Sequence, residues 1–588
     1  MMLHNSHQAF YRQPMGPAAA GSTVMIRFRC DEATAIILRT WQNEELCYAM
    51  LNTGDDVWET AVQLPETPGL YWYRFIVYRK DGHTVIYGNQ PDQMGGEGQA
   101  YTGGDPASFQ ITVYDRNFVT PAYFHSANIY QIFPDRFFRA KTAAKDDRED
   151  RYVHKHWDEE MLSVGDMRGG KYQELDFYGG NLNGIRAKLP YLKELGIDII
   201  YLNPIFRARS NHRYDTGDYS RIDPLCGTEE EFQILCEEAK DYGIRVLLDG
   251  VFSHTGEDSV YFNHFGHYPN LGAYQGDSSP YYDWYTFKKF PEDYRAWWGI
   301  MSLPELRKGN PAYQQFMFRD EEGIVPRWIH RGACGWRLDV ADELSMDFLR
   351  KLRVAAHKAN PEAVVLGEVW EDASNKVAYG EMRCYCTGDT LDSVMNYPLR
   401  EAILDFATGK SSAKALVRLV KHQAEVYPAQ FRYALMNLIG SHDRPRALNM
   451  LVNKGCMELP KDEQQWIRLS VDEYSLAVKR YKMCVDLLCA LPGCPTIYYG
   501  DEAGLCGCHD PWNRRPFPWG KEDTALQHYV SNKLTHRQKS DVLKYGLCDI
   551  EAVDDDTLTI VRYMDGDMDA LGHPTTCRER EVITVCRN

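Results

Sequence analysis

Between residues 23 and 113, apolar positions recur at every second residue. Val24, Ile26 and Phe28 alternate with Arg27 and Arg29, and Tyr71, Tyr73, Phe75 and Val77 alternate with Trp72, Arg74 and Tyr78. Turn signals interrupt the pattern at Asn52–Asp56, Pro65–Gly69 and Lys80–Gly82. Short alternating strands at this spacing predict a β-sandwich. A Gly-rich stretch around 95–104 leads into a last strand, Phe109–Val113, which places a boundary near 117–125.

Beyond it the pattern changes to short, continuously apolar runs separated by helical stripes, the mark of parallel α/β architecture. Eight runs read as strands: Ile129–Phe133, Ile197–Leu202, Ile244–Asp249, Gly335–Asp339, Ala363–Val369, Ser393–Asn396, Ala434–Ile439 and Pro495–Tyr499. One helix carries Leu182, Ile185, Leu189, Leu192 and Leu195 on one face, and the next opens with a capping box, Thr228 to Glu231. Eight such units close into a (β/α)8 TIM barrel. The alternative, an open doubly wound sheet, calls for a glycine-rich loop after its first strand, and the sequence has none there. Ninety residues separate Asp249 from Asp339, and the excess, 255–308, is rich in Tyr, Gly, Pro and Trp. The expected organisation is an N-terminal β-sandwich over 1–120 and a barrel over 121–540. An insert domain over 255–308 follows strand three, and a short C-terminal β region spans 541–588.

Composition narrows the class. The 588 residues carry 66 Lys and Arg against 83 Asp and Glu, a formal charge of −17, which argues against nucleic acid and against anionic membrane surfaces as partners. No run reaches the roughly 18 apolar residues of a membrane span, and the first residues do not read as a secretory leader. The sixteen cysteines show no repeated spacing, so free thiols in a reducing cytoplasm are expected rather than a disulfide framework. Cys506-Gly-Cys508 has the spacing of a metal pair, but no site is completed around it. The 13 Trp and 38 Tyr offer flat, hydrogen-bonding faces suited to sugar rings. Trp41, Trp58 and Trp72 of the sandwich could stack on glycan, although sandwich aromatics are more often core.

In a barrel the active site is built where strands end. Those ends supply Asp249 and His254, Arg337 and Asp339, Glu368, and His442 with Asp443, so that three carboxylates, two His and an Arg converge with a fourth acid from separate strands. Arg337 lies two residues before Asp339, on the same strand face, and is expected to hold it ionised. Glu368 ends the apolar run Val364–Trp370, where desolvation would favour its protonated form. One ionised and one protonated carboxyl are what acetal cleavage requires, at about 5–5.5 Å separation for a covalent sugar ester.

Four segments then carry a resemblance: Asp249-Gly-Val-Phe-Ser-His254, Gly335-Trp-Arg-Leu-Asp339-Val-Ala-Asp-Glu343, Gly367-Glu368-Val-Trp370 and Gly440-Ser-His442-Asp443. With Tyr201–Phe206, Ser210–Asp215, Tyr498–Glu502 and Asp510–Arg514 flanking them, they resemble, in order and spacing, the α-amylase family, glycoside hydrolase family 13. The Asp339–Glu343 pattern and the N-terminal β region most resemble its neopullulanase, cyclomaltodextrinase and maltogenic-amylase group. The resemblance implies a retaining double displacement with Asp339 as nucleophile, Glu368 as acid/base and Asp443 as transition-state stabiliser. It makes His212, Tyr214, Asp249, His254, Arg337, Glu343, His442, Asp510 and Arg514 substrate-binding or orienting residues, Tyr214 as a stacking platform. It also implies a homodimer through the N-terminal region, which the short C-terminal part would weaken. Ser253 and Asn181 stand where relatives have calcium ligands, so neither a metal nor another cofactor is expected. Arg444 stands where Thr is frequent, and Leu303–Arg307 departs from the group's usual Met-Pro-Lys-Leu-Asn, so linkage preference is open. The expected activity is hydrolysis of α-1,4 bonds, with α-1,6 bonds left open, in maltooligosaccharides, cyclodextrins, pullulan or starch. Transglycosylation, or a catalytically silent glycan-binding scaffold, are the alternatives.

Overall fold

The computed structural model describes residues 2–142, 144–162, 174–454, 456 and 458–587. The alternating N-terminal segment forms two antiparallel sheets, one built on Thr23–Cys30 and Val57–Gln63, the other on Ala33–Trp41, Gly69–Arg79 and Phe109–Tyr114. Their inward residues, among them Ile26, Phe28, Leu38, Trp58, Tyr73, Phe75 and Ile111, make one separate core, as the period of two requires. Trp58 is therefore core, while Trp41 and Trp72 face each other across two strands on the outer side.

The eight predicted strands form one parallel sheet: β1 (Ile129–Ile132), β2 (Ile199–Leu202), β3 (Arg245–Gly250), β4 (Ala333–Leu338), β5 (Val364–Gly367), β6 (Ser393–Val394), β7 (Met436–Leu438) and β8 (Cys494–Tyr498). Each pairs with its neighbour in chain order and β1 pairs with β8. Between β6 and β7 the barrel closes on an isolated bridge from Met395 to Met436. Alternate residues point inward: Ile129, Ile199, Tyr201, Leu247, Val364 and Leu366 fill the interior, while Tyr130, Ile200, Leu248, Trp336 and Val365 pack outward against the helices. Counting on by two from the interior set reaches Gln131, Asp249 and Glu368, and Arg337 has the parity opposite to Trp336. The polar site thus continues the inner face of the barrel past its apolar layers.

Two expectations need correction. The stripe over 182–195 is not one helix but two, Leu182–Ala187 and Leu189–Leu195, broken at Lys188 because Pro190 has no N–H to donate into a continuing helix. Cys508 is joined neither to Cys506 nor to a metal. It forms a disulfide with Cys456, 52 residues away, and most of the other cysteines, among them Cys226, Cys236, Cys334, Cys484 and Cys489, are buried thiols. The Thr228–Glu231 capping box is present with both of its reciprocal bonds. Residues 255–308 have little regular structure, and Phe262, Trp284, Tyr285 and Tyr294 join the hydrophobic cluster on the outside of the barrel. The C-terminal strands are three, Leu547–Ala552, Thr557–Tyr563 and Arg580–Cys586. Among the described residues no helix is long and apolar enough to cross a membrane.

Candidate active site

Parallel register brings the strand ends level. Asp249 pairs with Arg337 and Leu338 with Gly367, and the ladder runs one residue further through Asp339 N–H to the Gly250 carbonyl and Glu368 N–H to that of Leu338. At the centre Arg337 is wholly buried. Its Nη1 donates to Asp249 Oδ1 at 2.8 Å and Asp339 Oδ1 at 3.1 Å, and its Nη2 lies 2.8 Å from Glu368 Oε2. A buried guanidinium without partners would cost several kcal/mol; here one cation is shared by three carboxylates.

Around this hub runs a hydrogen-bond chain. Asp249 Oδ2 accepts from Tyr201 OH at 2.6 Å and Tyr214 OH at 2.9 Å. Having donated to Asp249, the Tyr214 hydroxyl accepts from Asn203 Nδ2, 2.9 Å away, and from His442 Nε2, 2.6 Å away. Gln131 Nε2 donates to His442 Nδ1 at 2.8 Å. The network assigns the imidazole proton to Nε2, and a neutral ring agrees with burial and with Arg514 and Arg337, which push His442 well below its ordinary pKa. The Tyr214 and His442 rings are nearly parallel, with centroids 5.3 Å apart. Asp443 stands 3.2 Å from His442 Nε2 and 4.0 Å from Arg514 Nη2, half-open to the cavity.

Neither the ionised state expected for Asp339 nor the apolar surroundings expected for Glu368 is what the structure has. Burial pushes Asp339 well above the carboxylate range, with Glu368, Asp249 and Asp443 adding to the lift, and Arg337 offsets only part of it. Arg337 is no private counter-ion, because Asp249 and Glu368 compete for it. Nor does Glu368 sit in an apolar slot. Its Oε2 accepts the Val340 N–H at 2.8 Å, and its Oε1 accepts the Trp370 indole N–H at 3.1 Å. Val340 reaches it with φ 37°, a left-handed conformation rare for a β-branched residue, so the peptide aimed at Glu368 is held under strain. Burial and the Glu368 charge raise Asp443 to about 7. Asp249, Asp339 and Asp443, crowded round one central guanidinium, are each pushed up and share their protons as a coupled set.

The cluster opens on a cavity of about 1210 Å³ that all the sequence-predicted residues reach except Asp249, Arg337 and Glu343, which lie behind its wall. His212 Nε2 bonds to Glu174, and that carboxylate, opposing burial, raises its pKa. His254 Nε2 lies 3.1 Å from the Tyr214 carbonyl, and burial depresses its pKa to about 3. Asp510 lies 3.6 Å from Lys461, and Arg514 Nε donates to the His442 carbonyl at 3.1 Å. Glu343 is the anchor of an aromatic wall. It accepts from Trp297 Nε1 at 2.7 Å, Trp298 Nε1 at 2.6 Å and Tyr379 OH at 3.3 Å. Glu174, Val340, Trp297, Trp298 and Tyr379 are site residues that strand-end reading misses. Only the Trp297-Trp298 pair left a trace, in the aromatic richness of the insert. The two positions compared with calcium ligands are engaged elsewhere. Ser253 Oγ lies 3.0 Å from His254 Nδ1, while Asn181 caps a helix through Gly184 N–H and donates to the Ala140 carbonyl.

The family model "Alpha amylase, catalytic domain" matches residues 131–542. An amylopullulanase of Thermoanaerobacter thermohydrosulfuricus is 38% identical over 640 aligned positions, covering 97% of this chain and 40% of that protein. Neopullulanase 2 of Thermoactinomyces vulgaris is 32% identical, covering 77% of this chain and 68% of that one. Among solved structures, a cyclic α-maltosyl-(1→6)-maltose hydrolase from Arthrobacter globiformis superposes with a TM-score of 0.63 at 30% identity, covering 77% of this chain and 90% of its own. The chain spans less than half the length of the amylopullulanases it matches.

Proposed function

We propose, from the premise that the chain belongs to the α-amylase family of glycoside hydrolases, that it hydrolyses α-glucosidic bonds of starch-type glucans with retention of configuration. The observation that carries this reading is the single guanidinium of Arg337 bonded to Asp249 and Asp339 and paired with Glu368 at the ends of three adjacent strands, facing a cavity large enough for several sugars. The names of the relatives, which speak of pullulan, cyclomaltodextrin and a cyclic α-1,6-linked maltosyl-maltose, support α-1,4 bonds with α-1,6 bonds in addition.

In this reading an Asp339 oxygen attacks the anomeric carbon. The glycosidic C–O bond breaks, its electron pair stays on oxygen, and that oxygen takes a proton from Glu368. Water then gives its proton to Glu368 and its oxygen to the anomeric carbon, releasing Asp339. The attack needs Asp339 as the anion and the proton on Glu368, so the proton that burial favours on Asp339 passes to Glu368 before the bond breaks, and the positive charge growing on the sugar then stabilises the Asp339 anion. Glu368 has to loosen from Val340 and Arg337 to face the leaving oxygen. Asp443, beside neutral His442, would hold the hydroxyls of the distorting ring, and Tyr214 with His442 offers it a stacked platform. His254, His212, Arg514 and Asp510 would orient the sugars on that side of the scissile bond. Transfer to a sugar instead of water shares the same intermediate, and the Trp297–Trp298–Tyr379 wall favours it as a second outcome. A cytoplasmic location is supported by the many buried thiols, such as Cys226, Cys236, Cys334, Cys484 and Cys489, against which stands the one disulfide, Cys456–Cys508. A homodimer through the N-terminal sheets is supported by exposed Leu46 and Leu51, and sedimentation would test it.

The test is Asp339→Asn. Turnover of maltotriose and pullulan should disappear while the cooperative thermal transition persists; activity near that of the wild type would remove Asp339 from the reaction.

A further inference from the structure

Arg444, which follows Asp443, belongs to none of the hydrogen-bond chains above. Its guanidinium carbon lies 4.4 Å from the ring centroid of Trp370, whose indole is stacked on Tyr397 with centroids 3.8 Å apart and planes 10° apart. Two groups this close to one ring cannot share a face, so Trp370 is sandwiched between Tyr397 and Arg444. The indole N–H so fixed is the one donated to Glu368 Oε1. Arg444 is partly exposed in the cavity, and among the described residues it has no carboxylate within ion-pair distance. Its Nε is buried without a hydrogen-bond partner, whereas its carbonyl accepts from Asn513 Nδ2 at 2.8 Å, which fixes the backbone beneath it.

A guanidinium has five N–H donors and no acceptor, so Arg444, as part of the cavity wall, brings donors and no acceptor to it. The same cavity is lined by Glu371, Asp342, Glu368, Asp339, Asp443 and Asp510. That balance repels an anionic ligand and leaves sugar hydroxyls as the acceptors. Trp370 also donates to Glu368, the group proposed to protonate the departing oxygen, which puts Arg444 on the leaving-group side.

We infer that Arg444 selects the leaving-group sugar and positions the acid. It closes the open face of Trp370 to sugar stacking, offers its own donors to the hydroxyls of the departing sugar, and clamps the indole N–H on Glu368. The inference rests on the reading of Glu368 as acid/base. A hydrogen bond from a charged donor is worth roughly ten- to hundredfold in binding, against about tenfold at most for an aromatic face gained by uncovering Trp370. The polar contact therefore dominates.

The experiment compares two substrates of the wild type, Arg444→Thr and Arg444→Lys. Maltotriose places a sugar on the leaving side and requires the acid; α-maltosyl fluoride does neither. Arg444→Thr should lower kcat/KM for maltotriose at least about tenfold more than for the fluoride, with part of the loss in KM. Its maltotriose pH profile should differ from that of the wild type. Arg444→Lys, which keeps the charge but not the planar fork, should restore less than half of the loss. Equal losses on both substrates, or none on either, would overturn the inference while leaving the hydrolase reading intact. A wild type that turns over neither substrate would instead remove the reading beneath it.

Discussion

Replacing Asp443 by Asn tests the crowded carboxyl cluster through stability rather than rate. In the folded protein burial and Glu368 raise Asp443 from its ordinary 3.8 to about 7. At about 1.36 kcal/mol per tenfold change in proton affinity, the ceiling is about 4 kcal/mol. The side chain is 31% exposed, and water screens part of the interaction, so about 1–2 kcal/mol is expected. The sign follows from linkage. The folded state binds this proton more tightly than the unfolded chain, so the stabilisation is complete below about pH 4 and is lost as pH rises through about 7. Asn has no proton to lose. Asp443→Asn should therefore match the wild type only below about pH 3.5 and exceed it at about pH 8, by roughly 1–4 °C in melting temperature. Calorimetric or fluorescence melts of both proteins across that range make the measurement. A difference that does not change with pH, or a variant that falls behind at the alkaline end, would show that Asp443 is not held protonated by its neighbours.

Other outcomes follow from the same geometry. Glu343→Ala removes the acceptor of three hydrogen bonds, each worth about 1 kcal/mol or more because the acceptor is charged. The tryptophans should become more accessible to iodide quenching, and the share of transfer products at high maltotriose should fall; an unchanged product ratio would separate the aromatic wall from acceptor binding. Prolonged EDTA treatment should leave both activity and melting temperature within error, since Ser253 and Asn181 spend their side chains on His254 and a helix cap. A reversible loss restored by calcium would refute that expectation.

Much of this site is legible in sequence because a barrel converts strand parity into convergence. Asp249, Arg337 and Glu368 each continue the inward phase of an apolar strand, so a period of two and a list of strand ends are enough to bring them together. What the sequence misleads about is the surroundings of each tip. The residues beside Glu368 are apolar because they pack the barrel's two faces, whereas its carboxyl meets donors from Val340 and Trp370, one of them from another strand end. Spacing alone pairs Asp339 privately with Arg337, whereas in the fold Asp249 and Glu368 share the same cation. Glu174 reaches His212 across 38 residues and Cys508 reaches Cys456 across 52, separations at which no local pattern exists. The helix break before Pro190, by contrast, was written in the chain and was masked by the leucine stripe running through it.

The seam at Met395 and Met436 bears on how the barrel opens and closes. β6 contributes two residues to the ladder and meets β7 through one bridge, aided by Asn396 N–H to the Met436 carbonyl and Asn396 Nδ2 to Asn437 Oδ1. Glu368 stands at the end of β5, one stave short of that seam, and Asp443 follows β7 on its far side. Parting the cylinder there would widen the gap between those two acids and leave the Arg337 hub of β3, β4 and β5 undisturbed. Backbone amides at 393–396 should then exchange with deuterium sooner than those of β3 or β4, and the cleft should yield first on the side where Asp443 faces the incoming chain.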